Sequence, residues 1–288
     1  MQLYTIETGF FKLDGGAMFG VVPKSMWSKV HPPDENNLCS WALRCLLIEE
    51  GKRLILVDNG IGNKQDAKFL GNYQLHGDAT LDKSLAAHGF HRDDITDVFL
   101  THLHFDHCGG SIVREGERLV PAFKNAVYWS NERHWKWATE PNDREKASFL
   151  KENILPIQES GQLKFIELDG ASAADARIIP SGILPQLSIR LANGHTDAMM
   201  LPQIGYKGRT IVFMADLLPS VGHIPIPWVM AYDMFPLTTL HEKRSFLNEA
   251  AAGNYVLFLE HDPLSECCEL QMTEKGVRSG KVFRLTEI

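Results

Sequence analysis

The segment Leu100-Thr101-His102-Leu103-His104-Phe105-Asp106-His107-Cys108-Gly109-Gly110 places three histidines and an aspartate within six residues. Neutral imidazoles and a carboxylate are the donors that borderline divalent metals such as zinc prefer. A loop leaving a strand can turn alternate side chains, His102 and His104, toward one point. A tighter bend after Phe105 can aim Asp106 and His107 at a second point. Gly109-Gly110 lets the backbone leave that crowded corner without a Cβ clash. A histidine-rich surface loop would explain neither the apolar strand before the motif nor the Gly-Gly exit after it.

Four ligands in good geometry cannot come from this loop alone, so further donors are expected at other strand ends. Three stand there. His195 lies in Asn193-Gly194-His195-Thr196, after an expected strand Leu187–Leu191. Asp216 closes Ile211-Val212-Phe213-Met214-Ala215, and His261 closes Val256-Leu257-Phe258-Leu259-Glu260. Taken singly, each is weak evidence, since a lone His after a strand is more often a surface or capping residue. Together they share the C-terminal ends of apolar strands, where α/β folds place their sites.

The elements that must carry these residues can be read from pattern. Strands are expected over Gln2–Thr8, Ala17–Val22, Asp94–Leu100, Leu163–Leu168, Thr210–Ala215 and Tyr255–Leu259. Ser40–Glu49 and Arg53–Val57 flank Glu50-Gly51-Lys52 as a hairpin. Thr80–His88 has helical spacing and stops at Gly89, and a second helix is expected from about Thr238 to Ala252. A polar helical stretch around residues 130–158 is broken by Pro141. With no repeat and no linker, the reading is a single α/β domain over residues 1–288 with a helical insertion around 130–158.

Of the 288 residues 44% are hydrophobic and 23% charged, with 29 Lys+Arg against 36 Asp+Glu for a net charge of −7. That composition supports a sizeable core and excludes intrinsic disorder. The acidic balance argues against a nucleic-acid partner. No run approaches the ~18 apolar residues of a membrane span, and the start MQLYTIETGF shows no secretory signal. A cytoplasmic protein without a membrane role is expected. The five cysteines, Cys267 and Cys268 adjacent among them, do not make a disulfide framework. Of the twelve histidines, His31, His76, His88, His91, His134 and His241 are read as surface or helix residues.

The set His102-x-His104-x-Asp106-His107, His195, Asp216 and His261 resembles the metallo-β-lactamase superfamily, over most of the chain. The resemblance implies a four-layer αβ/βα sandwich with a binuclear metal centre, two Zn2+ per chain or other divalent ions. It further implies that His102, His104 and His195 hold one ion, that Asp106, His107 and His261 hold the other, and that Asp216 bridges. Asp58, in Val57-Asp58-Asn59-Gly60, matches the family's early Asp-x-Gly turn, with a supporting or merely structural part.

Within the superfamily, Asp216 stands where secreted β-lactamases typically have cysteine, and His104 where diiron flavoproteins have an acid. The glyoxalase II branch stays open, because Lys275, Arg278 and Lys281 could imitate its glutathione-binding basic residues. The chain is most similar to the quorum-quenching N-acyl-homoserine lactonases and their organophosphate-hydrolysing relatives, in ligand spacing and in the stretch from Phe11 to Gly20. Many of those lactonases bind the substrate carbonyl with a tyrosine shortly after the bridging aspartate. Here that stretch is Leu217-Leu218-Pro219, so the role is vacant or falls to His223 or Tyr232. Two cations about 3.5–4 Å apart can share a water and bring its pKa near neutrality, which suits lactone opening, with Asp106 or Asp216 passing a proton to the leaving oxygen. Met18, Phe19, Trp27, Phe105, Trp135, Trp137 and Met199 are candidates for an apolar acyl groove. A small lactone or ester is the expected partner. Trp135 and Trp137 cannot share a helix face, which makes a homodimer contact one use for the outward ring.

Overall fold

The computed structural model describes residues 1–168 and 178–288. They fall into two compact units: the described residues of Met1–Gly9 with Leu43–Gly170, and those of Phe10–Ala42 with Ala171–Ile288. The unit boundaries run inside two long strands, β1 (Gln2–Asp14) and β2 (Leu38–Glu50).

In the first unit β1 and β2 are followed by β3 (Arg53–Val57) and β4 (Asp97–Phe99). A separate antiparallel pair, β5 (Ile112–Glu115) and β6 (Arg118–Pro121), precedes β7 (Val127–Ser130) and β8 (Leu163–Phe165). The main sheet has the order β1-β2-β3-β4-β7-β8. The expected hairpin is present, β2 and β3 pairing antiparallel from Leu46↔Val57 to Glu50↔Arg53. From β3 onward every pair is parallel. Parallel neighbours need crossovers. Helix Leu81–Ala87 supplies one, with Thr80 accepting from the Lys83 amide at its start and Leu81 and Leu85 buried. Helices Glu132–Thr139 and Lys151–Glu159 lie between β7 and β8, on either side of Pro141. Leu56, Val98, Tyr128, Trp135, Phe149 and Ile154 belong to the core they enclose. Because β3 and β4 run in one direction, Asp58 and Thr101-His102 emerge at the same edge of this sheet.

The second unit holds β9 (Ile178–Pro180), β10 (Leu187–Ala192), β11 (Met199–Tyr206), β12 (Arg209–Phe213), β13 (Val256–Phe258), β14 (Cys267–Thr273) and β15 (Gly276–Phe283), ordered β15 to β9 across one sheet. β10 and β12 are each antiparallel to β11, so they share a direction, and β13 is parallel to β12. Helix Pro236–Ala252 is the crossover between β12 and β13. Three co-directional strands therefore release His195, Asp216 and His261 at one edge.

Two sequence expectations need correction. Ala17–Val22 is not a strand: β1 continues to Asp14, whose carboxylate accepts from the Ala17 amide and starts a short helix, Gly15–Phe19. A side-chain cap of this kind competes with ladder bonding. His31 is not a surface residue. It is buried, stacks on Trp41 at 4.6 Å, and meets Ser220 Oγ through Nε2 at 3.0 Å. All five cysteines are free and buried. No helix among the described residues is long and apolar enough to cross a membrane.

Lys243, wholly buried on helix Pro236–Ala252, donates to the carbonyls of Pro225 (3.1 Å), Ile226 (3.2 Å) and Trp228 (2.7 Å). Burial pulls its pKa down to about 7, although the Asp233 charge acts the other way. An unfolded lysine keeps its proton to about 10.4. Between those values the unfolded chain binds more protons, so this group's contribution to stability rises with pH. In urea melts the stability difference between wild type and Lys243→Met should grow from pH 7 to 10, by at most about 1.4 kcal/mol per pH unit. A flat or falling difference would contradict this.

Candidate metal centre

In the first unit the donors are set by hydrogen bonds to their far nitrogens. Asp58 follows β3 and is completely buried, in a left-handed conformation (φ 54°) that aspartate tolerates better than most residues. Its Oδ1 accepts from the Thr101 amide at 2.8 Å and its Oδ2 from the Thr101 hydroxyl at 2.7 Å. With its proton given to Asp58, Thr101 Oγ1 must accept from His102 Nδ1 at 3.0 Å. His107 Nδ1 meets Asp58 Oδ2 at 3.1 Å. One carboxylate thus fixes two imidazoles in the tautomer that presents Nε2 as a lone pair. His104 is turned the other way: its Nε2 meets Glu145 Oε1 at 2.9 Å, so Nδ1 is its donor atom. His102 Nε2 and His104 Nδ1 lie 3.1 Å apart, and Asp106 Oδ2 is 3.8 Å from His107 Nε2. The Gly-Gly exit is sterically required. A Cβ on Gly109 would collide with the Ile61 carbonyl, and one on Gly110 with that of Asn59.

The second unit repeats the logic. His195 Nδ1 meets Asp233 Oδ1 at 3.0 Å, and His261 Nδ1 meets the Ala42 carbonyl at 2.8 Å. Their Nε2 atoms face the two oxygens of one carboxylate, Asp216 Oδ2 at 3.0 Å and Oδ1 at 3.2 Å. Ala215, just before Asp216, is forced to φ 40°, a conformation costing about 1–2 kcal/mol. The turn before His195 is clamped. Glu242 accepts from the Asn193 and Gly194 amides, at 2.7 and 3.0 Å, and a Cβ on Gly194 would strike Thr239.

Both sets suit a divalent cation. Two imidazole lone pairs 3.1 Å apart repel unless a proton or metal ion lies against them, and so does an imidazole lone pair facing a carboxylate. Burial opposes a charge on His195, yet Asp216 and Asp233 prevail and push its pKa up to about 10. The surroundings of this ring are built for positive charge. The donor types, imidazole and carboxylate, are those of zinc and its neighbours.

Other expected residues fall elsewhere. Phe19 and Trp27 stack on each other at 5.5 Å and are enclosed, with Trp41, in the core of the second unit; Trp135 is enclosed in that of the first. These side chains are packed within their own units. Met18 and Met199 are also buried, Met199 in β11 opposite Ala192. Trp137 does not point outward. It packs on the same core as Trp135 and donates Nε1–H to Glu145 Oε2 at 2.6 Å. His223 is a further correction. Its Nε2 donates to the Met18 carbonyl at 2.8 Å and its Nδ1 accepts from Ser220 Oγ at 2.8 Å, while burial holds its pKa down to about 3. Both nitrogens hold the chain together, which leaves none for a substrate carbonyl. Tyr232 is partly exposed, and Leu217 and Leu218 are buried. Phe105 packs against Phe69 at 5.4 Å and Tyr73 at 4.7 Å, two rings the sequence reading passed over. It also missed Glu145, Asp233 and His134. His134, read as background, is buried and accepts from the Leu103 amide at 2.9 Å. The spacing Asn142-x-x-Glu145 signals a turn, but nothing local ties Glu145 to His104.

Comparison with known proteins adds to this geometry. The family model described as metallo-beta-lactamase superfamily matches residues 44–261. A probable metal-dependent hydrolase from Staphylococcus aureus superposes with a TM-score of 0.84 at 26% identity, over 98% of each chain. AidC, described as a dizinc quorum-quenching lactonase, gives a TM-score of 0.76 at 20% identity, over 98% of this chain and 94% of that one. An N-acyl homoserine lactone hydrolase with N-hexanoyl-L-homoserine bound gives 0.67 at 19% identity, over 91% and 93%. A search of curated proteins found no match.

Asp58 orients two donors at once, so its charge should matter to metal binding more than its size. Asp58→Asn should weaken divalent-metal affinity about 10–100-fold in competition against a chromophoric chelator. Unchanged affinity would remove Asp58 from this role.

Proposed function

The chain belongs to the metallo-beta-lactamase superfamily, and on that premise we propose that it is a binuclear zinc hydrolase that opens the ring of N-acyl-homoserine lactones. The observation that carries the reading is the tautomer pattern. Each of five buried imidazoles has one ring nitrogen against a protein acceptor, which turns its other nitrogen into a ligand atom. In this reading His102, His104 and His195 would hold one ion and Asp106, His107 and His261 the second, with Asp216 as a ligand they would share. When bound, such ions supply Lewis-acid polarisation of the carbonyl and a water acidic enough to attack at neutral pH.

The chain's own residues do the rest. Asp106 or Asp216 takes the proton of the attacking water and hands it to the leaving ring oxygen. Phe105, Phe69 and Tyr73 form an aromatic cluster beside Asp106, suited to an apolar acyl tail. Burial and the charge of Asp106 push the Tyr73 phenol up to about 12, so it keeps its proton at neutral pH. The net charge of −7 favours a small neutral guest over a polyanion, and a cytoplasmic setting goes with that reading. The relatives described as lactonases support a lactone in particular.

One observation favours a second reading. No hydroxyl stands in Leu217-Leu218-Pro219, where many such lactonases bind the carbonyl, which favours a phosphotriester, a substrate without a carbonyl; a thioester is the other alternative on the same centre. Metal analysis should find two zinc ions per chain, and a pH-stat should record acid release from N-acyl-homoserine lactones. Asp106→Asn and Asp216→Asn should each cost about 10²–10⁴-fold in kcat. Metal-loaded protein inert toward lactones but active on S-lactoylglutathione or paraoxon would select the corresponding alternative.

A further inference from the structure

The helical insertion touches the motif at three consecutive residues. His134 Nε2 accepts from the Leu103 amide, Glu145 Oε1 meets His104 Nε2, and the Ser148 carbonyl accepts from the Phe105 amide at 3.0 Å. The Phe149 ring lies 4.9 Å from that of His104. Among these contacts one brings charge. Glu145 is 2% exposed, and its own orientation is heavily determined. Oε2 accepts from Trp137 Nε1 at 2.6 Å and from Asn142 Nδ2 at 3.2 Å, while its amide donates to Asn142 Oδ1 at 3.1 Å. A carboxylate whose far oxygen accepts from two further donors is held against His104, and His104 cannot flip its ring without breaking a buried charge-assisted bond.

We propose that Glu145 is a positioning residue for His104: it holds the ring with Nδ1 forward, raises that nitrogen's electron density, and so lets the insertion set the strength of one metal site without touching the other. His104 differs from His102 and His107 in this respect, since those two depend on Asp58. The two carboxylates therefore divide the motif between them. Trp137 belongs to the same device, its indole N–H holding the far oxygen of Glu145.

The inference rests on the two-metal reading above, and its test does not need a substrate. Stepwise zinc titration against a chromophoric chelator would be run on wild type and on Glu145→Gln, which keeps the reach to His104 and removes the charge. One of the two binding steps should weaken about 10–100-fold, while the other step stays near wild type; the unfolding midpoint of the apo-protein should fall, because the new amide N–H group faces a buried donor, Trp137 Nε1 or His104 Nε2. Glu145→Gln indistinguishable from wild type, or weakened equally at both steps, would overturn the proposal. Should that variant fail to fold, Trp137→Phe leaves the carboxylate in place with one donor fewer. It should weaken the same single step by a smaller factor, and no change in either step would again overturn the proposal. Two tight zinc steps in wild type with no lactone hydrolysis would defeat the lactonase reading alone. No zinc binding at all would defeat both.

Discussion

A buried imidazole can offer one nitrogen to a ligand only if something takes the proton of the other. That requirement governs where carboxylates and carbonyls stand around each donor here. Asp58 serves His102 through Thr101 and His107 directly, Glu145 serves His104, Asp233 serves His195, and the Ala42 carbonyl serves His261. Two of these partners are themselves held: Asp58 by the Thr101 amide, Glu145 by Trp137 and Asn142. Without such partners the rings would sample both tautomers and lose the orientation that a metal rewards.

Strand direction does the coarse placement. In the first unit parallel β3 and β4 end on Asp58 and Thr101-His102. In the second, β10, β12 and β13 point the same way because β11 intervenes as a return strand, and they end near His195, Asp216 and His261. Fine placement costs the backbone something. Ala215 is held left-handed, and Gly109, Gly110 and Gly194 leave no room for a Cβ. These are positions where local preference yields to the geometry of the centre.

The candidate donors stand out in the sequence, because four lie in one short segment and three close apolar strands. Their supporting partners do not. Glu145 is 41 residues from His104 and Asp233 is 38 from His195, distances at which no local pattern operates. The β2–β3 hairpin and the helix after Thr80 followed from turn and cap chemistry that is wholly local. The helix at Gly15–Phe19 departs from the expected strand because the Asp14 cap overrides the apolar run that follows it. The burial of His31 escapes a sequence reading, because burial, unlike periodicity, cannot be read from a lone polar residue. Phe19 and Trp27, groove candidates by sequence proximity, stack on each other and are buried.

The buried cysteines have a use that owes nothing to catalysis. Burial pushes the Cys39 thiol up to about 11 and those of Cys108 and Cys268 up to about 12, so none is a reactive thiolate in the closed protein. Cys45 and Cys108 lie in the first unit and Cys39, Cys267 and Cys268 in the second. Alkylation at each becomes a stopwatch that starts only when the structure around that thiol opens. Mass spectrometry of the tagged peptides would then time the opening at several places in one chain, with no residue changed.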